Sequence, residues 1–168
     1  MTSSLKDHVQ KLLEEHRGER VFRFKYLGKY YWLKQPEQLK GIWLLLKPHP
    51  KQHFKEECEI LQHLNNIGAP VPKLCGFGDD YLVLEDAGPT LNIWLNDEKL
   101  SWAEKSHILH SAMEILISLH QKGIIHGRPA IRDIAWKEGK ISFMDFESHS
   151  KSHNEHWLIA RDMLAFLD

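Results

Sequence analysis

The sequence predicts an α+β fold, and three observations predict it. Two runs rich in aromatic and β-branched residues, RVFRFKYLGKYYWLK and IAWKEGKISFMD, are broken by glycine turns in the manner of β-hairpins. APVPKLCGFGDDYLVLEDAG reads as two short strands around a Gly-Asp-Asp turn. Long segments between these runs repeat apolar residues every three to four positions, as helices do.

Taken in order, SSLKDHVQKLLEEHRG is a helix with Ser4 and Asp7 as an imperfect capping box. Its apolar side is Leu5, Val9, Leu12 and His16, and Gly18 stops it. The first hairpin follows, turning at Gly28-Lys29, and Lys34 closes its second strand. KQPEQLKGIWLLLKPHPK fits either a short helix or a third strand. QHFKEECEILQHLNNIG is a helix with Phe54, Cys58, Leu61 and Leu64 on one face and Gly68 past its end. YLVLE is a buried strand, and Glu85 to Gly88 form an acidic link between two parts of the chain, residues 1–85 and 86–168. PTLNIWLNDEKL is a short helix and loop. SWAEKSHILHSAMEILISLHQKG opens with the capping box Ser101…Glu104, lines one face with Ile108, Ala112, Ile115, Leu116 and Leu119, and ends at Gly123. A second hairpin turns at Glu138-Gly139. The closing helix NEHWLIARDMLAFLD is expected to bury Trp157, Ile159 or Ala160, Leu164 and Leu167.

The composition is that of a water-soluble globular chain. It has 168 residues, is 42% hydrophobic and 27% charged, and carries a formal net charge of -1. No overall field draws it to nucleic acid or an anionic membrane. Basic residues are scattered and the aromatics cluster in strands expected to be buried, so no nucleic-acid partner is expected. Two cysteines, Cys58 and Cys75, suit reduced thiols better than a disulfide framework. The first twenty residues lack a secretory apolar core, and no apolar run approaches the ~20 residues of a membrane span. A cytoplasmic protein is expected, with peripheral membrane contact left open.

Chemistry concentrates in HGRPAIRDIAWKEGKISFMDFE, residues 126–147. The second hairpin puts Asp133 before one strand and Asp145 after its neighbour, so the two acids end close together. Two carboxylates are a ready Mg²⁺ site, because this hard cation prefers oxygen ligands and shares itself with substrate phosphates. Asp145 also fits a turn cap, and Asp133 equally fits an ion pair with Arg132 or Arg128.

SLHQKGIIHGRPAIRD followed by ISFMDFE resembles the catalytic and metal loops of the protein-kinase-like superfamily, whose pattern is H-x-D-x-x-x-x-N and then D-F-G. His126 matches the leading His, Arg128 falls at the catalytic Asp, Asp133 at the Asn and Asp145 at the D-F-G Asp. Upstream, GKYYWLK resembles the strand carrying the phosphate-contacting Lys, which is Lys34, and FKEECEILQHLNNIGAPVPKLCGFG resembles the helix whose Glu pairs with it, Glu57 first and Glu56 next. The order is most similar to bacterial lipopolysaccharide kinases (the Kdo and core-heptose kinases) and to RIO-type kinases. ARDMLAFLD resembles the helix with a structural Asp in the former, which is Asp162.

The resemblance implies a protein-kinase-like two-lobed fold, with a reduced N-lobe sheet over 1–85 and a truncated helical C-lobe over 86–168. It implies ATP and Mg²⁺ as cofactors, with His126, Arg128 and Asp133 in the catalytic loop and Asp133 and Asp145 on the metal. Lys34 and Glu57 would serve the phosphates, and backbone groups of Glu85, Asp86 and Ala87 the adenine. The acceptor it implies is a hydroxyl of a lipopolysaccharide sugar or of a protein Ser/Thr.

Three departures bear on activity. Arg128 cannot accept a proton, so the usual positioning of the acceptor hydroxyl is lost. Glu147 replaces the D-F-G glycine, and 21 residues follow it, too few for a long activation segment. No Gly-rich phosphate loop precedes Lys34. Arg128 either contacts a phosphate bidentately or pairs with Asp133 or Asp145 and fills the metal position. The second outcome describes a catalytically impaired pseudokinase, acting as a nucleotide-binding or protein-interaction module. The 12 histidines raise a third class, a metal-binding tail at His149, His153 and His156, although a solvated loop explains that run more simply.

Overall fold

A computed structural model describes residues 3–37, 50–146 and 154–167. The segment 38–49, read from sequence as helix or strand, lies outside the described residues, as do Glu147, His149 and His153. The architecture is α+β. A helix α1 (Ser3–Glu15) precedes strands β1 (Val21–Tyr26) and β2 (Lys29–Lys34), then come α2 (Pro50–Asn66), β3 (Leu74–Phe77) and β4 (Leu82–Glu85). The order continues with α3 (Leu91–Leu95), α4 (Trp102–Gln121), a 3-10 turn (Ile131–Asp133), β5 (Ile134–Lys137), β6 (Lys140–Phe143) and α5 (Glu155–Leu167).

The chain divides into two compact units, Met1–Gln62 with Lys73–Asp86, and His63–Pro72 with Ala87–Asp168. Residues 63–72 go with the second unit because Phe143 N–H donates to the Pro70 carbonyl (2.8 Å), tying that stretch to β6.

In the first unit the strands form one antiparallel sheet, ordered β1-β2-β4-β3. Alternation along the strands gives it two unlike faces. Phe24, Leu33 and Val83 turn to one side and meet Leu5, Val9 and Leu12 of α1, with Tyr81, as a buried cluster. Each such side chain contributes about 1.5–3 kcal/mol on burial. Ser4 sits inside the first turn of α1, not at its cap, and its hydroxyl bonds Tyr26 Oη. The expected box with Asp7 is therefore replaced by a link to the sheet.

The first hairpin turns one residue earlier than expected. Tyr26 pairs with Lys29, leaving Leu27 (φ 47°) and Gly28 (φ 82°) as a two-residue loop. A type I′ turn needs positive φ at both central positions, and glycine takes the second. The second hairpin turns as expected at Glu138 (φ 50°) and Gly139 (φ 80°), with β5 and β6 paired from Ile134↔Phe143 to Lys137↔Lys140.

In the second unit α4 packs against β6, and α3 against α4, β5 and the 3-10 turn. The predicted capping box of α4 forms: Ser101 Oγ accepts the Glu104 N–H, and Glu104 Oε2 accepts the Ser101 N–H at 2.8 Å. Ile108, Ala112, Leu116 and Leu119 are buried, and Gly123 (φ 71°) ends the helix.

The closing helix α5 is rotated from its expected face. Trp157, Leu164 and Leu167 are 54%, 70% and 68% exposed, whereas Leu158, Asp162 and Phe166 are buried. The cause is Asp162. Its carboxylate, wholly buried, accepts the backbone N–H groups of His126 (Oδ2, 2.8 Å) and Gly127 (Oδ1, 2.8 Å) and lies 3.1 Å from His120 Nε2. A buried carboxylate must be hydrogen-bonded, so Asp162 sets the phase and the residues four away, Leu158 and Phe166, go in with it. Trp157 instead lies beside the Arg161 guanidinium, 5.4 Å from ring centroid to Cζ.

Among the described residues no helix is long and apolar enough to cross a membrane. Cys58 and Cys75 are not disulfide-bonded, and burial pushes both thiols up.

Two outcomes follow for stability in urea. Asp162→Ala strands the His126 and Gly127 amides and lowers unfolding free energy by about 3 kcal/mol or more. Leu164→Ala on the outer face of the same helix changes it by less than about 0.5 kcal/mol. A third outcome concerns acid. Hydrogen bonds from Ser101 hold the Glu104 carboxyl below its ordinary value of 4.5. Folded-state depression means the cap's support is complete above that value and is lost as pH falls through and below it. Glu104→Gln, measured by urea midpoint against pH, flattens this acid slope; an unchanged slope contradicts it.

Candidate functional site

The chemistry-bearing residues fall into two groups, one in each unit. In the first, Lys34 ends β2 and Glu57 stands one turn into the buried stripe of α2, next to Cys58. Their side chains form an ion pair, Lys34 Nζ donating to Glu57 Oε1, with only 13% and 24% of the side chains exposed. A lysine at a strand end is ordinarily solvated; here a helical carboxylate fixes the ammonium as a positioned charge. Glu56, the second choice from sequence, turns instead to Gln52 (3.2 Å) and His53 (3.7 Å). The Lys34–Glu57 pair borders a cavity of about 290 Å³ that also touches Arg20, Glu37, His53 and Phe54.

The acidic link is placed differently from expectation. Glu85 N–H donates to Lys73 O (2.9 Å) and Asp86 N–H to Tyr30 O (3.0 Å), so these two amides extend the sheet. The Glu85 carboxylate takes the Lys29 ammonium (3.1 Å), which raises the lysine's pKa. The Asp86 carboxylate is buried and accepts from Arg23 Nη2 (2.7 Å) and Trp32 Nε1 (2.8 Å). Ala87 is half-buried, and Gly88 follows at φ 92°. A Cβ on Gly88 would stand 2.8 Å from Lys137 Cβ, so glycine is required there by both conformation and space.

The sequence reading missed the Arg23–Asp86–Trp32 cluster. The hairpin register carried the signal, because Arg23 and Trp32 are cross-strand partners. The expectation that the strand aromatics are buried also fails in part: α1 covers one face of the sheet, and Tyr30 and Trp32, on the other, are 43% and 37% exposed.

In the second unit the loop from His126 to Asp133 is held from below. Besides the Asp162 bonds, the His126 ring is wholly buried between Phe143 and Phe146. Its Nε2 faces the Met144 carbonyl (2.7 Å), an acceptor only, so Nε2 carries the proton. Its Nδ1 accepts the Arg128 N–H (3.3 Å). With both nitrogens engaged by backbone, His126 braces the loop against β6.

Arg128 presents an exposed side chain from this loop. Asp133 closes the 3-10 turn and extends the hairpin ladder, its carbonyl accepting Met144 N–H at 2.8 Å. Its side chain is 14% exposed, and Arg132 Nε lies 3.9 Å from Oδ2, a loose contact from a mostly exposed arginine. Asp145, exposed, follows Met144 in the left-handed region at φ 58°. A non-glycine residue held there is uncommon and concentrates at functional sites. The ladder thus brings Asp133 and Asp145 to the same open end of the β5–β6 hairpin.

Two carboxylates at one hairpin end fit Mg²⁺, which takes few protein ligands and completes its shell with water and phosphate. They do not make a closed metal cage: among the described residues no group of three or more His, Cys, Asp or Glu could hold a metal ion. His156, the described member of the histidine run, is exposed at the start of α5, and its N–H donates to Asn154 Oδ1 (2.9 Å).

No family model matches the chain. It is 49% identical over 168 residues to an uncharacterized protein of Haemophilus influenzae, an alignment that covers the whole chain and 69% of that protein. At that identity and coverage the two share a fold and a common set of constraints, and the chain belongs to the family of the Haemophilus influenzae protein.

Proposed function

We propose that the protein is a kinase-like, ATP-dependent phosphotransferase acting on a hydroxyl acceptor, with the two-lobed organisation of the protein-kinase-like superfamily. The observation that most supports this reading is the Lys34–Glu57 ion pair, formed by residues 23 apart that the motif order had paired. The second unit adds the Asp133/Asp145 hairpin end and the Asp162 brace under the His126 loop.

In this reading Lys34, steadied by Glu57, binds phosphate oxygens as a point charge. Asp133 and Asp145 would hold Mg²⁺, which would supply charge neutralisation on the phosphates. His126 and Asp162 keep the loop in place and touch no substrate. Arg128 stands where a base is usual and cannot take a proton, so the acceptor hydroxyl passes its proton to phosphate or water. Phosphoryl transfer depends chiefly on positioning and charge, so the missing base lowers the rate without removing the reaction. The acceptor suggested by the resemblance is a lipopolysaccharide-core sugar or a protein Ser/Thr.

A second reading rests on one observation, the exposed Arg128 at the base position. It is a pseudokinase that binds nucleotide and does not transfer phosphate.

The test is phosphate transfer and thermal shift with Mg-ATP. Wild type is expected to be stabilised by Mg-ATP and to turn over. Asp145→Ala and Lys34→Met should each lower turnover by about a hundredfold or more. Binding without turnover, indifferent to Asp145→Ala, ends the enzyme reading in favour of the pseudokinase. Absence of nucleotide binding ends both.

A further inference from the structure

We propose a second ligand site, on the α1 side of the first unit, for a basic α-amino acid such as free lysine. It goes beyond the phosphotransferase reading and does not depend on it.

The site is a cavity of about 310 Å³ lined by Gln10, Leu13, Glu14, Arg17, Gln35 and Asp80. That is the small end of the about 300–1,000 Å³ that ligand pockets span. Among the described residues, Gln35 is its only wall in common with the Lys34–Glu57 cavity.

Each wall is fixed from behind. Gln10, Leu13, Glu14 and Arg17 follow the i, i+3, i+4, i+7 spacing, so they form one stripe of α1 and the turn after it. The neighbouring stripe, Leu5, Val9 and Leu12, is buried against the sheet, and His16 stacks on Phe22 at 3.6 Å between ring centroids. These contacts set the rotation of the helix about its axis. Gln35 is held by its own amide, whose Nε2 donates to the His16 and Glu19 carbonyls, both at 3.0 Å. Asp80 stands in the β3–β4 turn, where Gly78 N–H donates to Tyr81 O at 2.8 Å. Tyr81 belongs to the buried cluster under α1, and its ring lies so close to Gly78 that a Cβ there would meet it at 2.5 Å. The turn that carries Asp80 is thereby pinned.

Charge identifies the ligand. Glu14, Arg17 and Asp80 are exposed, and among the described residues none of them has an ion-pair partner. Glu14 and Arg17 stand at the i, i+3 spacing that favours pairing, yet they do not join. A guanidinium and two carboxylates therefore face one cavity without engaging each other. They complement a ligand with one carboxylate and two cationic groups, which is the set a basic amino acid carries. Its α-carboxylate suits the forked donors of Arg17, and its α- and side-chain cations suit Glu14 and Asp80. Leu13 meets its methylene stem, and the amide oxygens of Gln10 and Gln35 are acceptors for its remaining N–H groups. A neutral amino acid leaves one acid unmatched. A phosphorylated ligand sets negative charge against two carboxylates.

Calorimetric titration of the full chain with L-lysine, without nucleotide or metal, tests the site. Saturable one-to-one binding is expected. Norleucine, lysinamide and Nα-acetyllysine each lack one charge and should bind at least about fivefold more weakly. Arg17→Gln should weaken L-lysine by about fivefold or more and leave lysinamide unchanged, whereas Asp80→Asn should weaken both. Both positions are exposed, so the variants keep the fold. Absence of saturable L-lysine binding overturns the site. So does L-lysine affinity that is unchanged in Arg17→Gln and Asp80→Asn, or an Arg17→Gln protein that loses lysine and lysinamide equally. Nα-acetyllysine bound as tightly as L-lysine overturns the free amino acid in favour of the basic end of a peptide. None of these readouts involves Mg-ATP, so their outcome is separate from that of the phosphotransferase test.

Discussion

The second unit is organised around one buried carboxylate. Asp162 accepts two consecutive backbone amides, His126 and Gly127, and meets His120 of α4. Consecutive N–H groups that converge on one anion fix the backbone between them, here with Gly127 at φ 109°. From that point the His126 ring reaches the Met144 carbonyl and the Arg128 amide. A helix near the end of the described chain, a loop in its middle and the second hairpin are therefore one hydrogen-bonded assembly. Its members cannot be exchanged singly, because each leaves a buried polar group without its partner.

The first unit uses charge differently. Lys34–Glu57, Arg23–Asp86 and Lys29–Glu85 join β-strand cations to carboxylates of α2 and of the end of β4. They grade from largely buried to exposed. The Lys29 pair, at the tip, contributes little to stability. The Lys34 and Arg23 pairs hold side chains in place on a sheet face that α1 leaves uncovered, and positioning is the property that a binding surface needs.

Much of this was legible in the sequence because it rests on local signals. Alternation and glycine turns mark the hairpins, three-to-four periodicity marks α1, α2 and α4, and Ser101…Glu104 marks the start of α4. The pairing of Lys34 with Glu57 followed from motif order, and hairpin geometry put Asp133 and Asp145 at one end of β5 and β6. What was not legible depends on tertiary hydrogen bonding. The face of α5 was misread because hydropathy favours Trp157, Leu164 and Leu167, while a charged residue, Asp162, determines the inward side. In the Arg23–Asp86–Trp32 cluster the hairpin register brings Arg23 and Trp32 together, but Asp86, 54 and 63 residues from them, lies beyond the reach of any local pattern. The placement of His126 as a brace needed its two ring partners, both backbone groups that no side-chain pattern reveals.

The two hairpin turns have a consequence for engineering. Leu27 and Glu138 occupy left-handed backbone, where a Cβ atom crowds the carbonyl oxygen and Asn or Gly is at ease. Leu27 is 85% exposed, so nothing packs on it. Codon changes at these two loop tips offer a route to a sturdier protein for crystallisation or screening, at positions to which no chemical role is assigned.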